Sequence, residues 1–514
     1  MKYLKSLLIS LLFLSTYLVC YEDNQLSSLY SGLDPESITQ HIALYKLYPN
    51  LPTGKKALEH AQYLLKKCHS KKETLLKLPL ITQSIDGFVS FMLGKEIKED
   101  FLEDEYLEAI ESISSELGNR KLKGYQIQSQ EEIFALKPED LDLGRAVLLA
   151  QQDPKNINWK WIRNYEAQLD FLALQVLARL SETPSPKEMI KKINQVLFFD
   201  LKYRFPNQYI QDEHHKFSQL SSVLDSKQGV CLGTSIVYLC LAQRLNLPLE
   251  IITPPGHIYV RYNDGEKITN IETTHRGIHV PCEAYMNVNV KHLKQVNLKQ
   301  TICYIYHNLG TSSMMEGEFD KAIEFYSQSL KYDPSASLPN MMLGYAYAFN
   351  NQPKNAKKIF SKLKKIPFED QITPLDYGAS LDYLNGKVDL ETLKAAILPS
   401  KEHNLDIIKE KRDILIKGLE KHPKFIAGWM MLSGIYSELC LPKKAIEALK
   451  HVDEINPNIP SVQFNLTVLY EESLNYPAAW DHFKKCESIL AENKTHPKIM
   501  SQLKRALLSS SIEP

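Results

Sequence analysis

Glycine is scarce in this chain, at 20 of 514 residues, which suits a helix-rich protein. An excess of charge of either sign is absent. Lys+Arg and Asp+Glu are both 61, so the formal net charge is zero. That removes any global electrostatic ground for nucleic-acid binding. Cysteine is present without a pattern. Cys20, Cys68, Cys231, Cys240, Cys282, Cys303, Cys440 and Cys486 contain no CxxC pair and no zinc-finger spacing. Neither a disulfide framework nor a structural zinc site is written there. What remains is ordinary globular material, 44% hydrophobic and 24% charged, enough for roughly two to four domains of about 150 residues.

The first 20 residues differ from the rest. "MKYLKSLLISLLFLSTYLVC" has Lys2 and Lys5, then an apolar run from Leu7 to Val19. A basic n-region followed by a short h-region is the order of a secretory signal. The run is shorter than the roughly 20 apolar residues of a spanning helix. Residues 1–20 are therefore expected to be a signal peptide or N-terminal anchor of an exported, periplasmic or envelope protein. Cys20 stands where a lipidated cysteine would, although large Val19 precedes it.

Residues 24–185 read as a helical domain of unknown role. "ALEHAQYLLKKC" and "FLALQVLARL" space their apolar residues by three and four. "LKPEDLDLGRAVLLAQQ" opens with a Pro-Glu-Asp helix start. "SETPSPKEM" breaks the pattern, and "IKKINQVLFFDL" resumes it as a helix. Beyond Pro248 the period changes. "LEIITPPGHIYVRYNDGEKITNIETT" reads as two strands, with a hairpin turn at Asn263-Asp264-Gly265. Helices followed by antiparallel strands make an α+β arrangement.

The C-terminal third repeats itself at a shift of 34. Leu309-Gly310 recurs as Leu343-Gly344, and Ala322 as Ala356. Leu432, Tyr436, Ala445 and Leu449 recur as Leu466, Tyr470, Ala479 and Phe483. Trp429, Leu432, Tyr436, Ala445 and Pro457 have the spacing of the tetratricopeptide repeat, which this region resembles. The expected repeats cover 300–370 and 426–500, with 371–425 a degenerate repeat or insertion. Such helix hairpins stack into an α-solenoid that binds protein or peptide partners, packs on its own catalytic domain, or both.

The stretch "KQGVCLGTSIVYLCLAQRLNLP" places Cys231 after a glycine turn at Gly229 and at the head of an apolar helix. A helix N-terminus favours the thiolate. Cys240 lies nine residues on, about 180° around the helix, and is expected in the core. A nucleophilic thiol needs a base, and the base an orienter. His257 opens the first strand, and Glu272 follows fifteen residues later across the hairpin. Asn270 shares the Glu272 face and is the alternative orienter. Gln228, or the backbone N–H groups of Cys231 and Leu232, are the candidate oxyanion donors.

These segments together resemble the transglutaminase-like superfamily with its papain-like catalytic half. "GVC" matches at Gly229 to Cys231, and "GH" at Gly256 and His257. "ETT" stands where the family has Asp-Pro-Thr, so Glu272 replaces an aspartate. "INQVLFFDLKYRF" and "SSVLDSKQGVCLG" resemble more narrowly the SirB-type branch, which is often joined to C-terminal tetratricopeptide repeats. The resemblance implies a core at 186–295, a helix packed on an antiparallel sheet. It implies Cys231 as nucleophile, His257 as base and Glu272 as orienter, acting on a protein or peptide without metal or organic cofactor. The reaction would be amide hydrolysis or protein cross-linking. The alternative is an inert core serving as a repeat scaffold for protein–protein interaction.

Overall fold

The computed structural model describes residues 25–68, 104–206, 215–290, 293–363, 376–398 and 405–510. The expected signal or anchor at 1–20, with Cys20, lies outside the described residues. Among those described, no helix is long and apolar enough to cross a membrane. Among the described residues the architecture is α+β: many helices and a small antiparallel sheet. The chain packs as two compact units.

The first unit holds the described residues up to Pro206, with Phe217–Leu249 and Thr273–Gly277. It is built of helices. Ile38–Leu47 and Pro52–Lys67 form a hairpin, with the Ser37 side chain accepting from the Gln40 N–H to cap the first. Their apolar faces join Leu107, Ile110, Phe171 and Leu174 in one core. The helix expected to open at Pro-Glu-Asp starts later. Pro138–Asp140 is an isolated 3-10 turn, and the α-helix runs Leu143–Ala150. The reason is capping: Asp142 accepts from the Arg145 N–H at 3.3 Å, whereas Lys137 offers no side-chain cap. Helix Pro186–Asn194 continues into a wider π-helical turn, Gln195–Asp200.

A buried ionic network crosses this unit. Asp170, in helix Trp159–Leu177, accepts from Arg244 Nε at 2.7 Å, from Ser114 Oγ at 2.9 Å and from Arg120. Asp170 and Arg244 are both essentially without solvent. Arg244 closes helix Cys231–Arg244, so the pair ties the far end of the cysteine helix to Trp159–Leu177. Burial alone would lower the Arg244 pKa. The charges of Asp170 and Asp142 more than reverse that, and its pKa lies above the ordinary arginine value.

The second unit holds the described parts of Asn207–Lys216, Glu250–Glu272 and Ile278–Pro514. Its sheet is antiparallel in the order β3-β2-β1-β4, with β1 Glu250–Thr253, β2 Tyr259–Asn263, β3 Ile268–Ile271 and β4 Lys294–Val296. The β2–β3 hairpin turns at the expected Asn-Asp-Gly. The Asp264 carboxylate accepts from the N–H groups of Glu266 and Lys267 at 3.0 and 2.6 Å, and Gly265 takes φ +91°.

Helix hairpins follow. Leu298–Glu316 pairs with Phe319–Tyr332, and Ser337–Phe349 with Pro353–Leu363. Ile426–Glu438 pairs with Pro442–Ile455, and Pro460–Glu472 with Tyr476–Glu492. Between these sets lie the shorter helices Ala379–Leu384 and Leu390–Ile397 and the longer Leu405–Lys421; Lys498–Ser510 ends the array. The 34-residue recurrence has a packing cause. A Cβ on Gly310 would sit 2.7 Å from the Tyr326 ring, and one on Gly344 would sit 2.3 Å from the Phe360 ring. The small residue admits the aromatic of its paired helix. One continuous apolar core then runs through Tyr326, Phe360, Leu393, Phe425, Leu432 and Trp480.

Candidate active site

Cys231 is the first residue of its helix. Val230 before it is extended and supplies no side-chain cap. The first N–H groups of the helix, including those of Cys231 and Leu232, therefore have no intrahelical acceptor. The approach to the helix is held by backbone bonds. Gly229 N–H donates to Arg204 O at 3.0 Å, and Val230 N–H to Phe217 O at 3.1 Å. The expected glycine turn is corrected in one respect. Lys227 takes the left-handed conformation, φ 55°, and Gly229 does not have positive φ. Gly229 instead admits close packing, since a Cβ there would meet the Thr234 nitrogen and Val223 at 3.1 Å. Cys231 is half-buried, while Leu232 to Leu241 are buried without interruption.

Cys240, Cys303 and Cys486 are buried, and burial pushes the pKa of each up to about 12. All described cysteines are free thiols. Gln228 is half-buried, with its backbone bonded to Ser226. Its side-chain amide makes no hydrogen bond to another described residue.

His257 sits at the end of a tight turn rather than in a strand. Its N–H donates to Pro254 O at 3.0 Å, and Gly256 has φ +71°. Pro255 and Gly256 occupy the central positions that a type II turn prefers. The turn delivers His257 two residues ahead of β2. Continuing the Val260↔Ile271 register sets Glu272 opposite Tyr259, diagonal to His257 and on its face. The side chains meet: His257 Nε2 lies 2.7 Å from Glu272 Oε2, with the carboxylate only 4% exposed. Glu272 is fixed in turn by its own N–H, which donates to Ile278 O at 3.0 Å. An Nε2–H donating to Glu272 makes Nδ1 the basic ring nitrogen.

Asn270 does not orient His257. Its Oδ1 accepts from Arg261 Nε at 2.9 Å, and its Nδ2 donates to Val280 O at 2.7 Å and Cys282 Sγ at 3.4 Å. Arg261 is its direct cross-strand partner, which consumes the amide. A residue outside the sequence motifs joins the pair. Tyr285 Oη donates to Glu272 Oε2 at 2.6 Å. Burial, and then the bond to Glu272, raise the Tyr285 pKa well above the ordinary phenol value. Tyr285 lies in irregular chain with no period, so no local pattern marks it.

The family model of the transglutaminase-like superfamily matches residues 163–302, and that of the tetratricopeptide repeat matches residues 303–336. The first match takes in Asp170, the partner of Arg244. No curated protein matches the chain. Among solved structures, MamA protein is 21% identical over 37% of this chain and 93% of its own, with TM-score 0.21. A thermophilic tetratricopeptide-repeat protein of Thermus thermophilus is 16% identical over 40% of this chain and 99% of its own, with TM-score 0.22. YrrB, described as a tetratricopeptide-repeat protein with an unusual peptide-binding site, is 19% identical over 40% and 92%, with TM-score 0.20. Residues 163–302 of this chain thus carry the likeness to the transglutaminase-like superfamily, and a likeness to the tetratricopeptide repeat follows directly at 303–336.

Proposed function

We propose that this protein is a cysteine-dependent acyl-transfer enzyme of the SirB-type branch, whose repeats bind its protein or peptide substrate. The observation that carries the reading is the His257–Glu272 pair at 2.7 Å, an imidazole whose tautomer is set by a buried carboxylate. Two further facts support it. Cys231 stands at an uncapped helix head, at the position to which the sequence resemblance assigns the nucleophile. Ser235, one turn along that helix, is 3.0 Å from Thr273 Oγ1, and Thr273 follows Glu272 in the chain.

In this reading His257 Nδ1 takes the Cys231 proton. The thiolate forms an S–C bond to an amide carbonyl, and the oxyanion is held by the N–H groups of Cys231 and Leu232, with Gln228 as a further donor. His257 then gives the proton to the leaving nitrogen as the C–N bond breaks, leaving a thioester. Water resolves it as hydrolysis, or an amine as cross-linking. No step calls for a metal or an organic cofactor. Lys2, Lys5 and the apolar run to Val19 support export to the bacterial envelope, with attachment at the N-terminus.

Peptide-resolved alkylation by iodoacetamide as a function of pH tests the site. The expected Cys231 profile has a low-pH inflection that is lost in His257→Ala. A wild-type profile with the single inflection of an ordinary thiol, about pH 8.5, overturns the proposal and leaves a repeat adaptor with an inert core.

A further inference from the structure

Tyr285 lies outside every motif read from the sequence. Its hydroxyl donates at 2.6 Å to Glu272 Oε2, the oxygen that also faces His257 Nε2 at 2.7 Å. Its ring is stacked with His257 at 5.7 Å and 18°, and with Tyr259 at 4.4 Å and 16°. One side chain restrains both partners, the carboxylate by a hydrogen bond and the imidazole by its ring face. We infer that Tyr285 is a positioning residue of this site, which holds Glu272 and His257 in one geometry and moderates the charge the carboxylate shows to the imidazole. Its catalytic meaning rests on the acyl-transfer reading; its effect on His257 does not.

The turn that carries Tyr285 is itself supported. Tyr285 N–H donates to Cys282 O at 3.0 Å, closing the 3-10 turn Cys282–Ala284. Helix Lys498–Ser510, the end of the repeat array, lies against that turn. The titratable groups set against the imidazole include Glu272, Tyr285 and Tyr259. Behind Tyr259 stands Arg261, whose Nη2 is 2.9 Å from the Tyr259 hydroxyl and 3.2 Å from Cys282 Sγ.

The sign of the effect follows from the shared oxygen. A hydroxyl donating to a carboxylate draws on its charge. Removing that donor while keeping the ring leaves more negative charge for the imidazolium, which favours the protonated ring. Tyr285→Phe therefore raises the His257 pKa. A residue that merely packed would leave it unmoved.

The test is an NMR titration of the full chain carrying histidine labelled with ¹³C at Cε1. The His257 signal is assigned by its loss in His257→Gln. Tyr285→Phe should shift its midpoint upward by roughly half a unit to one unit. In a Glu272→Gln background the same substitution should shift nothing. Replacing the Tyr285 phenol by 3-fluorotyrosine keeps the shape and strengthens the donor, so it should shift the midpoint downward. An unmoved or lowered midpoint in folded Tyr285→Phe, an unmoved one with fluorotyrosine, or the same shift with and without the Glu272 carboxylate overturns the inference. Failure of the nucleophile reading shows only in the Cys231 alkylation profile, so the two results are separable.

Discussion

The Glu272 carboxylate meets the His257 ring at 2.7 Å from a nearly solvent-free position. A carboxylate so placed stabilises the protonated imidazole and fixes which nitrogen is basic. Glu272→Gln keeps the shape and removes the charge. The Cys231 alkylation rate at pH 6 should fall about tenfold or more, with the circular dichroism unchanged. A rate equal to wild type would detach the pair from the thiol.

Asp170 lies between Arg244 and Arg120, and all three are largely withdrawn from water. Asp170→Ala strands two guanidinium groups in the interior. Breaking a buried pair in this way costs about 3–5 kcal/mol. Urea unfolding should show that loss, and Cys231 alkylation should lose its dependence on His257 as the far end of its helix comes loose.

Gly344 is in the middle of helix Ser337–Phe349, where alanine would ordinarily favour the helix by about 1 kcal/mol. Here the added methyl would lie 2.3 Å from the Phe360 ring. Overpacking wins, and Gly344→Ala should destabilise by about 1–3 kcal/mol. The check is thermal unfolding beside a control at Gly434, also helical, where a Cβ meets nothing within 4 Å.

His41 is 2% exposed, with Nδ1 2.8 Å from Ser37 O. Burial lowers its pKa below the ordinary 6.5; the Ser37 bond opposes this, and nearby His60 adds to it. Between the folded and unfolded values the unfolded chain binds more protons. The stability His41 contributes is therefore whole above about pH 6.5 and is lost as the pH falls toward the folded value. The urea midpoint should drop between pH 7.5 and 5.5, and His41→Gln should flatten that drop.

Much of the layout was legible because its causes are local. The glycine–aromatic pairs at Gly310–Tyr326 and Gly344–Phe360 join neighbouring helices, so their spacing recurs along the chain. The β2–β3 hairpin follows from Asn263-Asp264-Gly265, and His257 and Glu272 meet because they flank that hairpin. Helix-start chemistry was less decisive where two acidic residues competed: Asp142, not the Pro138–Asp140 turn, caps Leu143–Ala150.

By itself the amino-acid sequence determined the helical repeats, the hairpin and the order of thiol, imidazole and carboxylate, since each depends on backbone periods or turns a few residues long. Only the tertiary structure decided that Arg261 takes Asn270 away from His257, that Tyr285 joins Glu272, and that Asp170 rather than another carboxylate meets Arg244. Those pairings depend on which polar groups arrive in the same dry space. Many carboxylates and amides have the required chemistry, and no spacing along the chain distinguishes the one that packing brings into contact.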